Sequence, residues 1–341
     1  MANTFFKSFA ESDRTSSRTL LHEAIPITGT LVSGTYSANS NIKTFSHGMF
    51  QSVYDYPYAS SSANHIFDVT YGYHASSSFF GASNTQHSKK SNIYSQMAQV
   101  LSGFDTDSKI RRFDQDGDFA AGGPKYDEAF VVTFSRLLTK DEIKKGSFSM
   151  TLGTGSTYAA PFASGSTITD TGAATSYNVN SPAGEYGILK DASSNSVGLL
   201  YYQAGIAILS SSVLGPVPTT QMDAAGQFHG ALATGSNIDA LGNAFLHRVQ
   251  NIQFNNTTEL NSTIYFCRAN HNEFNYSSNP TYLSGSKILV KNNDNQMPPR
   301  SYATTVGLYS ADNELLAVAK LSEPLRKDPT NELTLRVRLD Y

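Results

Sequence analysis

The sequence predicts a mainly β protein of the α+β class, in which a β-sandwich-like core carries long loop insertions and two or three short helices. Residues 129–138 are rich in the β-branched and aromatic residues that favour strands. From Leu333 to Leu339 every second residue is apolar and the residues between are polar, as in a strand with one buried face. Hydrophobic residues fill 39% of the 341 positions, which is enough for a sizeable core.

The first part of the chain is predicted to contain little regular structure. Residues 1–46 are predicted to form an extended N-terminal arm, because Ser, Thr and Gly are frequent and Pro26 interrupts any helix. Residues 47–125 form an aromatic-rich segment of loops and turns with one short helix. That helix is expected at 91–101, where an apolar stripe ends before Gly103.

The rest of the chain, residues 126–341, is predicted to be a mainly β structural domain. Loop insertions are expected near 153–184 and 216–246, where Gly, Ser, Thr and Ala dominate. A helix is expected at 238–246 inside the second insertion. Two long apolar runs near the C-terminal end read as strands joined by a hairpin turn at 311–313.

A further short helix is predicted where Thr139 precedes Glu142 by three residues. The Thr hydroxyl and the Glu carboxylate can each accept a hydrogen bond from the other residue's backbone amide, which is the capping-box arrangement. Gly146 is expected to end this helix.

Composition excludes several classes of function. The net charge is −3 and only 16% of residues are charged, which argues against a basic nucleic-acid surface. The single cysteine, Cys267, excludes an intrachain disulfide and a multi-cysteine zinc site. The sequence contains no run of about 18 apolar residues, so it does not predict membrane insertion. The start of the chain does not read as a signal peptide, so we expect synthesis in the cytoplasm.

One acidic cluster is a weak candidate for a metal site. Asp114, Asp116 and Asp118 flank Gly117 and offer the oxygen ligands that calcium prefers. Their spacing does not fit a calcium-binding loop of the EF-hand type, and a solvated acidic turn is the favoured interpretation. A hydrolase that uses the carboxylates of residues 105–118 is a third hypothesis. No nucleotide loop or serine-nucleophile motif occurs, so the sequence predicts no cofactor and no enzyme activity.

Several stretches resemble virion structural proteins of tailed bacteriophages, especially contractile-tailed phages of marine and cyanobacterial type. These stretches are residues 136–147, 198–209, 270–282, 299–309, 313–324 and 336–341. The resemblance implies a non-enzymatic subunit of the baseplate or adjoining tail. It also implies location in the virion after synthesis in the host cytoplasm, with other virion proteins and copies of the chain itself as partners.

Aromatic residues are the candidate contacts for such partners. Phe274, Tyr276 and Tyr282 lie in an Asn-, Ser- and Pro-rich stretch and could anchor an interface at low entropic cost. The alternative function is a receptor- or glycan-binding fibre or decoration protein that contacts the host surface. Tyr54 and Tyr56 motivate that alternative, because exposed aromatic rings can stack on sugars.

Overall fold

The computed structural model describes residues 6–22, 32–33, 40–120, 122–214, 220–277, 279–285, 287–288 and 300–341. The predicted class, a mainly β protein with a few helices, is confirmed: 41% of residues lie in strands and 17% in helices.

The chain divides into two compact units. The terminal unit combines residues 1–19 with 260–341, and the central unit comprises residues 20–259. These bounds do not follow the predicted segments 1–46, 47–125 and 126–341. Part of the predicted arm, residues 34–39 among them, lies outside the described residues.

The described residues form four α-helices: α1 (His87–Leu101), α2 (Arg136–Thr139), α3 (His229–Gly235) and α4 (Ile238–Leu246). The strands, in chain order, are β1 (Arg14–His22), β2 (Val32–Ser33), β3 (Ile42–Thr44), β4 (Gln51–Tyr54), β5 (His65–Tyr73), β6 (Phe113–Asp114), β7 (Lys125–Tyr126), β8 (Glu128–Phe134), β9 (Glu142–Ile143), β10 (Ser149–Gly153), β11 (Gly165–Thr169), β12 (Asn178–Ser181), β13 (Gly184–Lys190), β14 (Ser196–Tyr201), β15 (Ile206–Leu209), β16 (Val249–Gln253), β17 (Asn256–Ala269), β18 (Leu283–Ser284), β19 (Lys287–Ile288), β20 (Ser301–Tyr309), β21 (Leu315–Lys327) and β22 (Leu333–Asp340).

The central unit is built on one antiparallel sheet of twelve described strands. Its order is β2-β16-β10-β11-β13-β14-β15-β8-β5-β4-β3, with β12 added on β13. Successive residues of β8 point to opposite faces. Phe130 and Val132 join one apolar cluster with residues of α3 and α4, and Ala129 and Val131 join a second with residues of α1. Both faces of the sheet are therefore buried at its centre.

A close approach of α1 to β5 fixes one side of this arrangement. A Cβ atom at Gly72 would lie 2.7 Å from the carbonyl oxygen of Lys90 and from the amide nitrogen of Tyr94, so only glycine fits there. The Lys90 side chain is fully buried and donates hydrogen bonds to the carbonyls of Ala233 and Ser236, both at 2.7 Å. Lys90 thus ties α1 to the end of α3.

A buried arginine holds two further segments of the unit. Arg248 is fully buried, and its guanidinium donates to the carbonyls of Gly153 and Gly155 at 2.9 Å and to that of Gln221. Both predicted loop insertions are therefore anchored to one side chain, which supplies the hydrogen bonds that the sheet does not.

Besides α3, which lies inside the second predicted loop insertion, the structure contradicts three local predictions. Within residues 153–184, predicted as a loop, the chain adds β11 and β12 to the sheet, because Thr and Ser hydroxyls are tolerated on its solvated face. Residues 51–54 and 65–73, predicted as turns, form β4 and β5.

The predicted capping-box helix is the third error. A single turn, α2, ends at Thr139, and Lys140 has a φ of 52°. Glu142 then pairs as a strand with Thr257 in β17. The helix at 238–246 is confirmed with the predicted bounds, and the helix predicted at 91–101 is confirmed but starts at His87.

The terminal unit consists of narrow sheets. β1, β17 and β22 form one, in that order, and β20 and β21 form a separate hairpin. Along β17 and β22 the register pairs Cys267 with Leu335. The backbones of Asn261 and Tyr341 exchange two hydrogen bonds, of 3.2 and 2.9 Å, at the end of β22.

Among the described residues, no helix is long and apolar enough to span a membrane.

Candidate interface of the terminal unit

The terminal unit buries few apolar side chains. Of its described hydrophobic residues only Leu308 is buried, and every other buried hydrophobic residue lies between Ile42 and Phe254 in the central unit. Narrow sheets cause this difference, because a two- or three-stranded sheet has no second layer to cover its faces.

Several large apolar side chains of the hairpin are exposed instead. Tyr309, Leu315, Leu316 and Val318 are between 45% and 68% exposed. We call these four residues the hairpin patch.

The β20–β21 register makes Tyr309, Leu315 and Val318 neighbours within the hairpin patch, and Leu316 is the unpaired residue where the register shifts beside Leu315. Tyr309 lies opposite Leu315, and Gly307 lies opposite Val318. A Cβ atom at Gly307 would lie 2.9 Å from the Tyr309 ring and 3.3 Å from the Leu315 side chain, so both side chains cover the glycine. The ring of Phe6 extends the surface, with its centroid 4.7 Å from that of Tyr309. Cross-strand neighbours of this kind form one contact surface.

A loop that carries two predicted interface residues is held against the base of the hairpin. Lys327 is buried, and its ammonium donates to the Asn275 side chain at 2.7 Å and to the carbonyls of His271 and Asp328 at 3.3 and 3.0 Å. The Ser301 hydroxyl donates to the carbonyl of Phe274 at 2.6 Å. The loop is thus fixed by polar contacts rather than by an apolar core.

These contacts display part of the predicted aromatic group. Phe274 and Tyr276 are 45% and 46% exposed on the fixed loop. Tyr282 is half-buried in a single helical turn, residues 280–282. Aromatic rings presented on an ordered loop lose little conformational entropy on binding.

The two predicted aromatic residues of the alternative function lie in the central unit. Tyr54 is half-buried at the end of β4, with its ring centroid 5.6 Å from that of His65. Tyr56 follows in a loop and is 59% exposed. The Asp55 carboxylate orders that loop by accepting hydrogen bonds from the amides of Tyr56 and Asn64, at 2.8 and 2.6 Å.

The structure brings the three weak metal candidates together. One carboxylate oxygen from each of Asp114, Asp116 and Asp118 lies within 4.8 Å of the others, and only Asp114 is buried. Lys125 forms an ion pair with Asp114 and donates to the carbonyl of Ala120 at 2.7 Å. The cluster therefore contains its own cation. These contacts suit the favoured interpretation of an acidic turn, and metal binding stays a prediction.

The lone thiol does not have the environment of a nucleophile. Cys267 is half-buried on β17, and burial raises the pKa of its thiol, with a further contribution from the Asp13 carboxylate. A raised pKa disfavours the reactive thiolate.

Sequence reasoning missed one buried polar cluster of the central unit. The Glu128 carboxylate accepts hydrogen bonds from the hydroxyls of Ser211 and Tyr71, the latter at 2.9 Å, and Nε2 of His229 lies 3.4 Å away. The residues are far apart in the chain, so no local motif announces them. Ser211 does not contact the histidine in the way an activated nucleophile requires.

The hairpin patch was missed for a different reason. Alternation in the sequence predicts strands but does not reveal that the side chains of the hairpin patch stay exposed in the structure.

Comparisons of the chain with protein-family models, with curated proteins and with solved structures found no match in any of the three.

Proposed function

We propose that this chain is a non-enzymatic structural subunit that acts by binding other protein subunits through its terminal unit. The observation that carries this proposal is the exposed hairpin patch. It belongs to a unit in which, among the described residues, one hydrophobic residue is buried. The sequence resemblance supports a more specific form of the proposal. In that form the assembly is the virion of a tailed bacteriophage, and the place of the subunit is the baseplate or adjoining tail.

The energetics favour association over exposure. Full burial of a leucine, valine or aromatic side chain stabilises a complex by about 1.5–3 kcal/mol. Tyr309, Leu315, Leu316 and Val318 would each contribute on contact with a partner. Contiguous apolar patches of this kind commonly mark protein interfaces.

The weakly charged surface is consistent with this role. Charged groups are costly to desolvate, and interface centres are depleted of them. With 16% charged residues, the chain can bury large areas at little electrostatic cost.

A pair of exposed-leucine variants tests the proposal. Leu316→Asp places a charge in the hairpin patch, whereas Leu137→Asp changes a leucine on α2 that is 78% exposed, compared with 68% for Leu316. We expect the wild-type protein to form oligomers, or to enter particles with the other virion proteins, when followed by light scattering and by mass spectrometry of purified particles. Leu316→Asp should abolish this association and Leu137→Asp should preserve it.

A wild-type protein that stays monomeric and is absent from particles would contradict the assembly proposal. Equal association of the two variants would show that the hairpin patch is not the contact surface.

The second candidate function is recognition of a host surface receptor or glycan. The observation that favours it is the exposure of two neighbouring rings, Tyr56 at 59% and Tyr58 at 46%. Host-cell pull-down with the full chain tests it. Binding by the wild type that is lost in Tyr56→Ala would favour adhesion, and absence of binding by the wild type would exclude it.

A further inference from the structure

The central unit contains a groove whose lining is unusually rich in hydroxyl groups. Its volume is about 910 Å³, within the range of roughly 300–1,000 Å³ typical of small-molecule sites. Eight of the fourteen lining residues are serine or threonine, four are apolar, and two are the carboxylates Glu128 and Asp191. Among these lining residues there is no lysine, arginine or histidine. This composition disfavours phosphate and other anionic ligands.

Both carboxylates already have hydrogen-bond donors from the protein. Glu128 accepts from Tyr71 and Ser211. Asp191 accepts from the amides of Ser193 and Asn195 at 2.9 and 2.8 Å. Because these oxygens are engaged, the carboxylates orient the walls of the groove and do not form an open cation site.

Several hydroxyls are left for a ligand. Among the described residues, the side chains of Ser78, Ser156 and Ser166 form no hydrogen bond with another protein group, and each of these residues lines the groove. A hydroxyl can donate one hydrogen bond and accept two, so the three together suit a ligand that both donates and accepts. Such a ligand is rich in hydroxyl groups itself.

One aromatic ring adds an apolar surface. Phe79 is half-buried in the groove lining, and its ring is held by that of His229, with centroids 5.5 Å apart. A fixed ring face can pack against C–H groups of a ligand, while the serine side chains form hydrogen bonds with its hydroxyl groups. A pyranose ring presents both kinds of surface.

A second cavity suggests a ligand longer than one ring. It measures about 230 Å³ and shares Ser78, Glu128 and Ser210 with the groove. Ser76 and Ser77 continue the hydroxyl lining there. The charged groups beside them, Lys125 and Asp127, already form ion pairs with Asp114 and Arg112.

We propose that this groove binds a neutral oligosaccharide, with Ser78, Ser156 and Ser166 as hydrogen-bonding groups and Phe79 as the stacking surface. The groove belongs to the central unit, whereas the hairpin patch belongs to the terminal unit. Its failure would leave the assembly proposal intact, and the reverse also holds.

The experiment uses the full chain and a panel of neutral oligosaccharides, namely hexamers of glucose linked α-1,4 or β-1,4, of mannose and of galactose. Binding is followed by calorimetry and by saturation-transfer NMR up to about 10 mM sugar. Inorganic phosphate and calcium chloride are titrated as probes of the competing chemistries. We expect at least one sugar to bind and neither salt to compete with it.

Matched variants locate the binding on the groove. Ser166→Leu fills the groove from β11, and Thr167→Leu is its control, because adjacent residues of a strand point to opposite faces. We expect Ser166→Leu to weaken sugar binding at least about tenfold and Thr167→Leu to leave it unchanged. Ser78→Leu changes an exposed lining residue outside the strands and provides a second test should Ser166→Leu fail to fold.

Three outcomes would overturn the proposal. They are no binding of any panel sugar by the wild type, binding of phosphate or calcium in place of sugar, and unchanged sugar binding in a folded Ser166→Leu or Ser78→Leu variant.

Discussion

The two compact units stabilise themselves by different means. The central unit buries apolar side chains on both faces of a twelve-stranded sheet, and a buried lysine and a buried arginine fix its helices and loops. The terminal unit relies on backbone pairing and on polar contacts such as those of Lys327. The comparison teaches that strand content alone does not measure a stable core. A unit of paired strands can leave most of its apolar residues exposed.

The largest expected effect is in the core of the central unit. Phe130 is fully buried, and its ring stacks on that of Phe245 with centroids 4.9 Å apart. Phe130→Ala should lower the free energy of unfolding by about 3–5 kcal/mol, because it removes buried area and leaves a cavity. Urea denaturation measures this. A loss below about 1 kcal/mol would contradict the comparison between the units.

A pH dependence comes next, from Lys90 in the same unit. Burial lowers the pKa of Lys90 to about 8. Between pH 8 and the ordinary lysine value the unfolded chain binds more protons than the folded chain, so stability should rise with pH over that window. Across this pH window the free energy of unfolding of the wild type should rise by up to about 3 kcal/mol relative to that of Lys90→Met.

Denaturation of both proteins at a series of pH values checks this prediction. The difference between them isolates Lys90 from tyrosines that ionise in the same range. If the unfolding free energies of the two proteins changed in parallel with pH, Lys90 would not be desolvated as the structure indicates.

A smaller effect is expected at Glu128. Burial acts to raise its pKa, but hydrogen bonds from His229, Ser211 and Tyr71 and the charge of His229 outweigh burial, so the pKa of Glu128 is lowered. The carboxylate therefore contributes stability above its ordinary pKa, and this is lost as pH falls below it. Glu128→Gln should lower the free energy of unfolding by about 1–2 kcal/mol at pH 7. The cost should shrink in acid, and an equal cost at pH 7 and in acid would refute the assignment.

The smallest effect on stability is expected in the hairpin patch. Leu316 is 68% exposed, so Leu316→Ala should change the unfolding free energy of the isolated chain by no more than about 0.5 kcal/mol. A loss as large as that of Phe130→Ala, measured in the same way, would mean that Leu316 belongs to a core.

Much of the fold could be predicted where local chemistry decides it. The helix α4 follows from Asn237, whose side chain accepts a hydrogen bond from the Ala240 amide at 2.8 Å, and from an apolar run behind it. The strand β22 follows from its alternation, with Leu333, Leu335, Val337 and Leu339 half-buried and the residues between them exposed.

The errors arose where tertiary packing overrides local signals. β5 is buried on both faces, so its sequence lacks alternation, and Gly72 is there because α1 needs the space. Within the apolar stripe predicted at 91–101, Val100 is 63% exposed, whereas Tyr94 and Ala98 are buried in the cluster on the sheet. Contacts between distant residues, such as those of Glu128 with Tyr71 and Ser211, carry no local signal at all.

The pairing of β1 with β17 and β22 has a consequence for the order of events during synthesis. The terminal unit joins residues 1–19 to residues 260–341. Its first strand, β1, can therefore pair with β17 only after the central unit has been synthesised. The central unit is continuous and can fold as it emerges, which shortens the loop that later closure must restrain. The hairpin patch is translated after that unit, so its exposed apolar side chains appear when the central unit has already been synthesised. If the hairpin patch binds other subunits, as we propose, this order delays their association until the central unit has been synthesised.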